Sequence, residues 1–216
     1  MKFIKTGIAG FDEFLRGGLP PIVLLLIGQP GSGSEVFARG IAYHRSRSNG
    51  ATYLTINKHP DFVKEDMFIY GWNISKLEQS GAWRFINPSK EESVTDIAGT
   101  EVSLNRCVVV DSLSELILTH GAEEGVALIK NMITQNKARK ELHMVLLTQG
   151  MQDHKAETAL EHFAEGILLF NTNWEAQQVS RNIIIKKMAG TIAPTRSLPY
   201  NVNERGISIE TAIRIT

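Results

Sequence analysis

Short apolar runs alternate along this chain with longer amphipathic stretches, and this alternation limits the fold more than any other feature. Five runs are apolar at nearly every position, and they cover residues 22–27, 51–56, 107–110, 143–148 and 166–170. Such runs predict strands that are buried on both faces, as in a parallel sheet covered by helices. Helices are predicted between them, at residues 34–48, 60–71, 90–103, 121–139 and 156–163. This order predicts an α/β protein with three layers and a mostly parallel central sheet.

The pattern changes after residue 170. Residues 177–188 and 206–211 are predicted to be strands, and residues 189–201 (AGTIAPTRSLPYN) to be a connection that contains glycine and proline. These segments predict a C-terminal antiparallel hairpin at one edge of the sheet. Because no long linker, repeat or low-complexity tract interrupts the chain, we expect a single domain that spans residues 1–216.

The charge of the chain is balanced, with 23 basic and 23 acidic residues. This balance excludes the strong positive field of a dedicated nucleic-acid-binding protein, although it leaves a local patch open. Two basic clusters lie in residues 39–47 and 137–140, near the ends of predicted helices. Because cations complement the helix dipole there, we interpret both clusters as solvated helix ends rather than as binding patches.

Three further observations concern the compartment and metal binding. The single cysteine, Cys107, lies inside an apolar run, which indicates a buried core residue in a reducing compartment. No stretch reaches the roughly 18 apolar residues of a membrane span, so we expect a cytoplasmic protein. His154 and His162 are eight residues apart, which is not a metal-ligand spacing, and no metal site is predicted.

Residues 28–35, GQPGSGSE, have the outline of a phosphate-binding loop between a strand and a helix. Gly28, Gly31 and Gly33 would let backbone N–H groups converge on an anion at the start of the helix. Ser34 and Glu35 stand where such a loop has a lysine and a hydroxyl residue. The lysine would contact the phosphates and the hydroxyl would bind magnesium, so the replacement changes the local charge by about two units against a phosphate.

The same loop also has a structural interpretation. Ser32 and Glu35 have the spacing of a capping box, in which each side chain would bind backbone N–H groups at the start of the helix. On this interpretation the loop is closed by its own side chains. We favour it over weak nucleotide binding, and strongly over efficient hydrolysis.

Four segments carry a resemblance to a known family: residues 6–20 (TGIAGFDEFLRGGLP), 68–87 (FIYGWNISKLEQSGAWRFIN), 108–117 (VVVDSLSELI) and 186–209 (KKMAGTIAPTRSLPYNVNERGISI). Together they resemble the KaiC-like and RadA-like ATPases of the RecA superfamily over nearly the whole chain. The resemblance implies a RecA-like P-loop fold. It places Asp111 at the metal-side position of the Walker B strand and Gln149 at a phosphate-sensing position. It also places Lys186 and Lys187 in a hairpin at the subunit interface.

The departures from this family fall on the chemistry. Where the family has paired glutamates after the second strand, this chain has Asn57 and Lys58, neither of which is a plausible base. Where the family has an arginine finger, this chain has Ala189. The loop lysine, the loop hydroxyl, the catalytic glutamate and the finger are therefore all absent. We predict a pseudo-ATPase without catalytic residues.

The resemblance implies rings or filaments, so the expected role is a non-catalytic interaction or regulatory subunit. Its partner would be a second copy of the chain or a KaiC-like or RadA-like ATPase. Two alternatives stay open. The chain could be a sensor that binds ATP weakly without hydrolysis, or an accessory ATPase subunit in DNA recombination or repair that receives its missing groups from another chain. No tightly bound cofactor is expected, and ATP with magnesium would bind weakly at most.

Overall fold

The structure is a computed structural model that describes residues 3–56, 58–174, 178–192, 194 and 196–210. The strands are β1 (Val23–Gly28), β2 (Ala51–Thr55), β3 (Trp83–Ile86), β4 (Cys107–Asp111), β5 (His143–Thr148), β6 (Gly166–Trp174), β7 (Val179–Met188), β8 (Leu198–Asn203) and β9 (Gly206–Ile209). The helices are α1 (Phe11–Phe14), α2 (Ser34–Ser46), α3 (Pro60–Ile69), α4 (Ser75–Gln79), α5 (Val94–Ser103), α6 (Leu113–His120), α7 (Ala122–Arg139) and α8 (His154–Phe163).

One sheet contains these strands in the order β3-β2-β4-β5-β1-β6-β7-β8-β9. Strand β1 pairs in parallel with β5 and β6. The pairs β2–β3, β2–β4 and β4–β5 are also parallel. From β6 onward the pairs are antiparallel. The prediction of a mostly parallel α/β sheet with a C-terminal antiparallel edge is confirmed.

The core lies on both faces of the sheet because the central strands are apolar at every position. Leu24 and Leu26 of β1 pack with α2 and α3 on one face. Val23, Leu25 and Ile27 pack with α5, α6, α7 and α8 on the other. All six residues of β1 are buried, so two layers of helices are required and the three-layer prediction is confirmed.

Several helices begin at a side-chain cap, which corrects their predicted bounds. The Ser93 hydroxyl accepts the Asp96 N–H at 3.2 Å, so α5 begins at Val94 instead of residue 90. The Asp153 carboxylate accepts the Ala156 N–H at 2.7 Å, so α8 begins two residues before the predicted start. Both caps satisfy N–H groups that have no partner within the helix.

Strand β8 was predicted to be part of the connection, and this prediction was wrong. Pro199 lies inside the strand, and a proline normally argues against a strand because it lacks an N–H group. Its carbonyl nevertheless accepts the Glu210 N–H at 3.0 Å. The pairing of β8 with β7 is short, at Asn182 with Pro199 and Ile183 with Leu198, so the missing donor disturbs little of the ladder.

Cys107 is fully buried, as predicted, and burial raises the pKa of its thiol. Among the described residues, none of the helices is long and apolar enough to cross a membrane.

His143 is a fully buried histidine at the start of β5. Its Nδ1 atom accepts the Val108 N–H at 3.2 Å, and Nε2 is bound by none of the residues that the structure describes. Burial lowers the pKa of His143 to about 3. The imidazole is therefore neutral in the folded protein at neutral pH.

We predict that this histidine makes the fold sensitive to acid. Because its pKa is near 6.5 in the unfolded chain, only the unfolded chain binds the proton as the pH falls below that value. Stability is complete above pH 6.5 and should fall by about 1.4 kcal/mol per pH unit as the pH drops toward 3. Urea unfolding at pH 7.5, 6 and 5 should show a shallower dependence for His143→Gln, whose amide oxygen can still accept the Val108 N–H. Equal slopes for both proteins would contradict a neutral buried His143.

Candidate functional site

The loop between β1 and α2 has the predicted order of strand, turn and helix. Strand β1 ends at Gly28 and α2 begins at Ser34. Gly31 has φ of 80° and Gly33 has φ of 84°, in the left-handed region that favours glycine. The two glycines therefore turn the chain sharply from the end of the strand into the helix.

The capping-box prediction was wrong. Gly33, not Ser32, is the N-cap of α2, and no side chain caps the helix. The helix begins one residue later than a capping box with Ser32 requires. The Ser32 hydroxyl is buried without a hydrogen bond to the described residues, and the Ser32 carbonyl accepts a hydrogen bond from the Tyr200 hydroxyl. The loop is therefore fastened by strand β8, not closed by its own side chains.

The backbone of this loop keeps free donors. In the described part of the chain, no hydrogen bond is made by the N–H groups of Gly31, Gly33, Ser34 and Glu35. They stand at the N-terminus of a helix of 13 residues, where the helix dipole adds partial positive charge. This backbone geometry is suited to an anion.

The side chains of the loop add no positive charge. Ser34 is 8% exposed, and its hydroxyl lies 3.5 Å from a carboxylate oxygen of Glu35. A Cβ atom on Gly28 would lie 2.4 Å from the Ser32 hydroxyl and 3.0 Å from that of Ser34. The loop is thus folded back against the end of β1, and Glu35 adds a negative charge beside the free N–H groups.

Asp111, which the resemblance assigns to a Walker B position, lies at the carboxyl end of β4, and the peptide that follows it is cis. Its Oδ2 atom accepts a hydrogen bond of 2.6 Å from the Tyr53 hydroxyl. The same oxygen lies 3.6 Å from Nη2 of Arg39. Arg39 also donates from Nε to the Tyr53 oxygen at 3.1 Å and from Nη1 to Asp66 at 3.0 Å.

This Arg39 cluster (Arg39, Tyr53, Asp66 and Asp111) is buried at its centre. The Arg39 side chain is 2% exposed and that of Asp111 is 13% exposed. Burial and the Asp111 carboxylate raise the pKa of Tyr53, so its hydroxyl keeps the proton that it donates. Asp111 therefore has a hydrogen-bond donor and a positive charge from its own chain.

Three more residues were singled out from the sequence, and of these Gln149 lies close to the loop. The Gln149 N–H donates to the Gly28 carbonyl at 3.0 Å and extends the β1–β5 pairing. The backbone of Gln149 is therefore beside the loop, and its role as a sensor stays a prediction. Asn57 lies outside the described residues. Lys58 is exposed, and its carbonyl accepts the Thr55 hydroxyl at 2.6 Å.

Lys186 and Lys187 contact helix α8. Lys186 forms an ion pair with Glu161 at 2.5 Å, and the Lys187 ammonium donates to the Glu161 and His162 carbonyls at 3.2 and 2.8 Å. These carbonyls belong to the last turn of α8, where a cation is favourable. Both lysines are thus bound within the chain.

Arg39 was predicted to belong to a solvated helix end, and this was wrong, because it lies in the middle of α2 with a side chain that is 2% exposed. Tyr53, Tyr200 and Arg181 were not predicted. Burial raises the pKa of Tyr200 to about 12, although the nearby Arg181 opposes the shift. Tyr200 therefore keeps the proton that it donates to the loop. One signal was available: Arg39 follows the apolar residues 36–38 in a helix that packs on the core, where a charged residue is rarely buried without a partner.

A strand, a glycine turn and a helix, with an aspartate at the carboxyl end of the parallel strand β4, which β5 separates from β1, define an α/β protein of the P-loop class. A family model described as "ATPase: KaiC" matches residues 4–213, and the chain belongs to this family.

Similar proteins span almost the same length. A UPF0273 protein of Thermotoga maritima is 27% identical, with 97% of this chain and 96% of that protein covered. A UPF0273 protein of Methanocaldococcus jannaschii is 26% identical, with the same coverage. The crystal structure of a KaiC-like protein from Pyrococcus horikoshii matches with a TM-score of 0.80 at 19% identity, covering 96% of this chain and 98% of that one. The chain has the KaiC-like fold of the RecA superfamily.

We predict that Arg39 compensates the negative charge of Asp111 and thereby stabilises the folded protein. Arg39→Met should lower the free energy of unfolding by about 3–5 kcal/mol, because it leaves a buried carboxylate without its cation. Adding Asp111→Asn should recover a large part of this loss. Arg47→Met, at an exposed position just after the same helix, should change stability by no more than about 0.5 kcal/mol. The measurement is urea unfolding, and equal losses for the single and double variants would contradict the role of Arg39.

Proposed function

We propose that this chain is a pseudo-ATPase of the KaiC family that acts as a non-catalytic interaction or regulatory subunit. One observation carries the proposal. The Asp111 carboxylate accepts a hydrogen bond from Tyr53 and lies 3.6 Å from the Arg39 guanidinium. Its charge is therefore compensated inside the protein, without a metal.

The loop supports the same proposal by its charge. In a working P-loop, a lysine and a magnesium ion compensate the charge of the β- and γ-phosphates. Here Ser34 supplies no charge, and Glu35 places a carboxylate next to the free N–H groups. The Glu35 carboxylate would repel the phosphates of a nucleoside triphosphate at the position where the lysine and magnesium of a working P-loop add binding energy.

The groups for hydrolysis are also missing from their positions. Lys58 stands after β2, where the family has glutamates, and it offers no carboxylate as a base for the attacking water. The finger position holds Ala189, whose N–H donates to the Glu165 carbonyl at 2.8 Å. A single arginine finger accelerates related phosphoryl transfer by roughly 10³–10⁵, so this loss alone is severe.

A weak ATP sensor is the second candidate, and one observation favours it. The N–H groups of Gly31, Gly33, Ser34 and Glu35 remain free of hydrogen bonds to described residues. Backbone donors at a helix N-terminus bind phosphate without any help from side chains. Such binding would be weak and would depend little on magnesium, because Asp111 is already compensated by Arg39.

Restoring the loop tests both candidates. Wild-type protein should give no saturable heat with micromolar magnesium-ATP in calorimetry, whereas Ser34→Lys with Glu35→Thr should bind, because the glycine turn is intact. Phosphate release should stay at background in both proteins. Ser34→Met with Glu35→Thr is the matched control, of similar length without the charge, and should not bind.

Three outcomes are informative against this proposal. Micromolar binding of magnesium-ATP by the wild type would contradict the pseudo-ATPase proposal and favour the ATP sensor. Turnover by the wild type, with or without DNA, would favour the accessory ATPase. Robust turnover by the restored variant would mean that another residue acts as the base.

The partner surface that we propose is the exposed face of α3. Phe62, Phe68 and Ile69 are 64%, 68% and 71% exposed. Phe62 and Ile69 are seven residues apart on one helix, so they lie on the same face. Exposed apolar residues grouped in this way are typical of a protein interface.

We predict that this face mediates association with a second copy or with a KaiC-like or RadA-like ATPase. Phe62→Ser with Ile69→Ser should lower the mass measured by light scattering, or abolish capture of such an ATPase. Leu118→Ser, at a residue of α6 that is 58% exposed, is the control and should leave both unchanged. A wild-type monomer at high concentration that captures no such ATPase would contradict the prediction.

A further inference from the structure

A cavity of about 680 Å³ lies at the edge of the sheet opposite the loop. Its wall includes Ile22, Glu141 and Glu165, which stand just before β1, β5 and β6. These three strands are parallel, so the cavity is at their amino ends and the loop is at the carboxyl end of β1. The volume lies within the range of about 300–1,000 Å³ that is usual for small-molecule sites.

The fold brings parts of the two basic clusters together at this cavity. Arg45 comes from the last turn of α2, and Lys137 and Lys140 come from the end of α7. Lys5 completes the cationic part of the wall. With Glu141 and Glu165, the charged side chains of the wall have a net charge of +2. The two clusters were predicted to be separate helix ends, and parts of them meet only in the tertiary structure.

The two carboxylates of the wall already have partners. Glu141 accepts from Arg45 and from Asn49, each at 2.7 Å, and from the Leu142 N–H at 2.9 Å. Glu165 accepts the Val23 N–H at 2.9 Å.

The cationic side chains of the cavity wall have fewer partners than its carboxylates. Lys5, Lys137 and Lys140 form no ion pair with the residues that the structure describes. The buried Nε atom of Arg45 also has no hydrogen-bond partner among them. The cavity therefore has positive charge available for a ligand.

Lys140 has an unusual backbone conformation. It ends α7 in the left-handed region, with φ of 56° and ψ of 50°, where glycine is favoured over a residue with a side chain. Non-glycine residues in this region are strained and are concentrated at ligand sites. The strained position thus carries a cationic side chain to the wall of a cavity.

We propose that this cavity binds a small phosphate monoester with an apolar body. A phosphate monoester carries about two negative charges at neutral pH, which matches the net charge of the wall. The phosphate lies among Lys5, Lys137 and Lys140, and the apolar body packs against Phe3, Ile4 and Ile133, which also form the wall. The proposal does not depend on whether the loop at the other edge binds ATP.

The test uses 8-anilinonaphthalene-1-sulfonate, an amphipathic anion that fluoresces in apolar surroundings, and phenyl phosphate as its competitor. The measured signal is the part of the fluorescence that phenyl phosphate displaces. Benzyl alcohol, which lacks the charge, should displace it at least tenfold less effectively. In Lys137→Ala with Lys140→Gly, the apparent Kd of phenyl phosphate should rise at least tenfold. Glycine suits the backbone at residue 140, so this variant should stay folded.

The control is Lys130→Ala with Arg139→Ala, which removes the same charge from α7 at residues outside the cavity wall. It should change the apparent Kd less than twofold. Three results would overturn the proposal: no displaceable fluorescence in the wild type, equal displacement by benzyl alcohol, or the same Kd in the cavity variant and the wild type. Thermal melting of each variant confirms that it is folded during the titration.

Discussion

Burial of β1 on both faces is the constraint on which the rest of the structure depends. Its residues are all buried, and it pairs in parallel with β5 and β6. A parallel strand needs a crossover to reach its neighbour, and the crossover helices cover the two faces. The turn after Gly28 must then lie at the carboxyl edge of the sheet, next to the end of β5. For this reason Gln149 contacts Gly28, and Asp111 lies at the same edge, at the end of the next strand, β4.

Arg39 is the buried cation at that edge. A guanidinium that is 2% exposed needs charged or polar partners, because an unpaired buried charge is strongly destabilising. Tyr53, Asp66 and Asp111 are these partners. Nη2 of Arg39 lies 3.6 Å from Asp111 and makes no hydrogen bond to the described residues.

The sequence predicted the parts of this structure that depend on local patterns. Continuous apolar runs identified five of the six parallel strands, and the glycines identified the loop. The runs missed β3, which is only partly buried and pairs in parallel with β2. Prediction failed at β8, where Pro199 hid a strand that pairs over a short length, and at Ser32, where the helix begins one residue later than a capping box requires. The Arg39 cluster could not be predicted, because its members are 14 and 58 residues apart along the chain and meet only in the tertiary structure.

Helix α2 joins the two edges of the sheet. It begins at the loop and ends at the cavity, and its 13 residues span about 20 Å. Arg39 ties its middle to Asp111, and Arg45 ties its last turn to Glu141 at 2.7 Å. Both ion pairs form without a ligand, so they fix the position of α2 before any ligand binds. A ligand shifts a conformation only by its differential affinity for two states, and two buried ion pairs oppose any state in which α2 has moved. A ligand at either edge therefore meets a preformed surface.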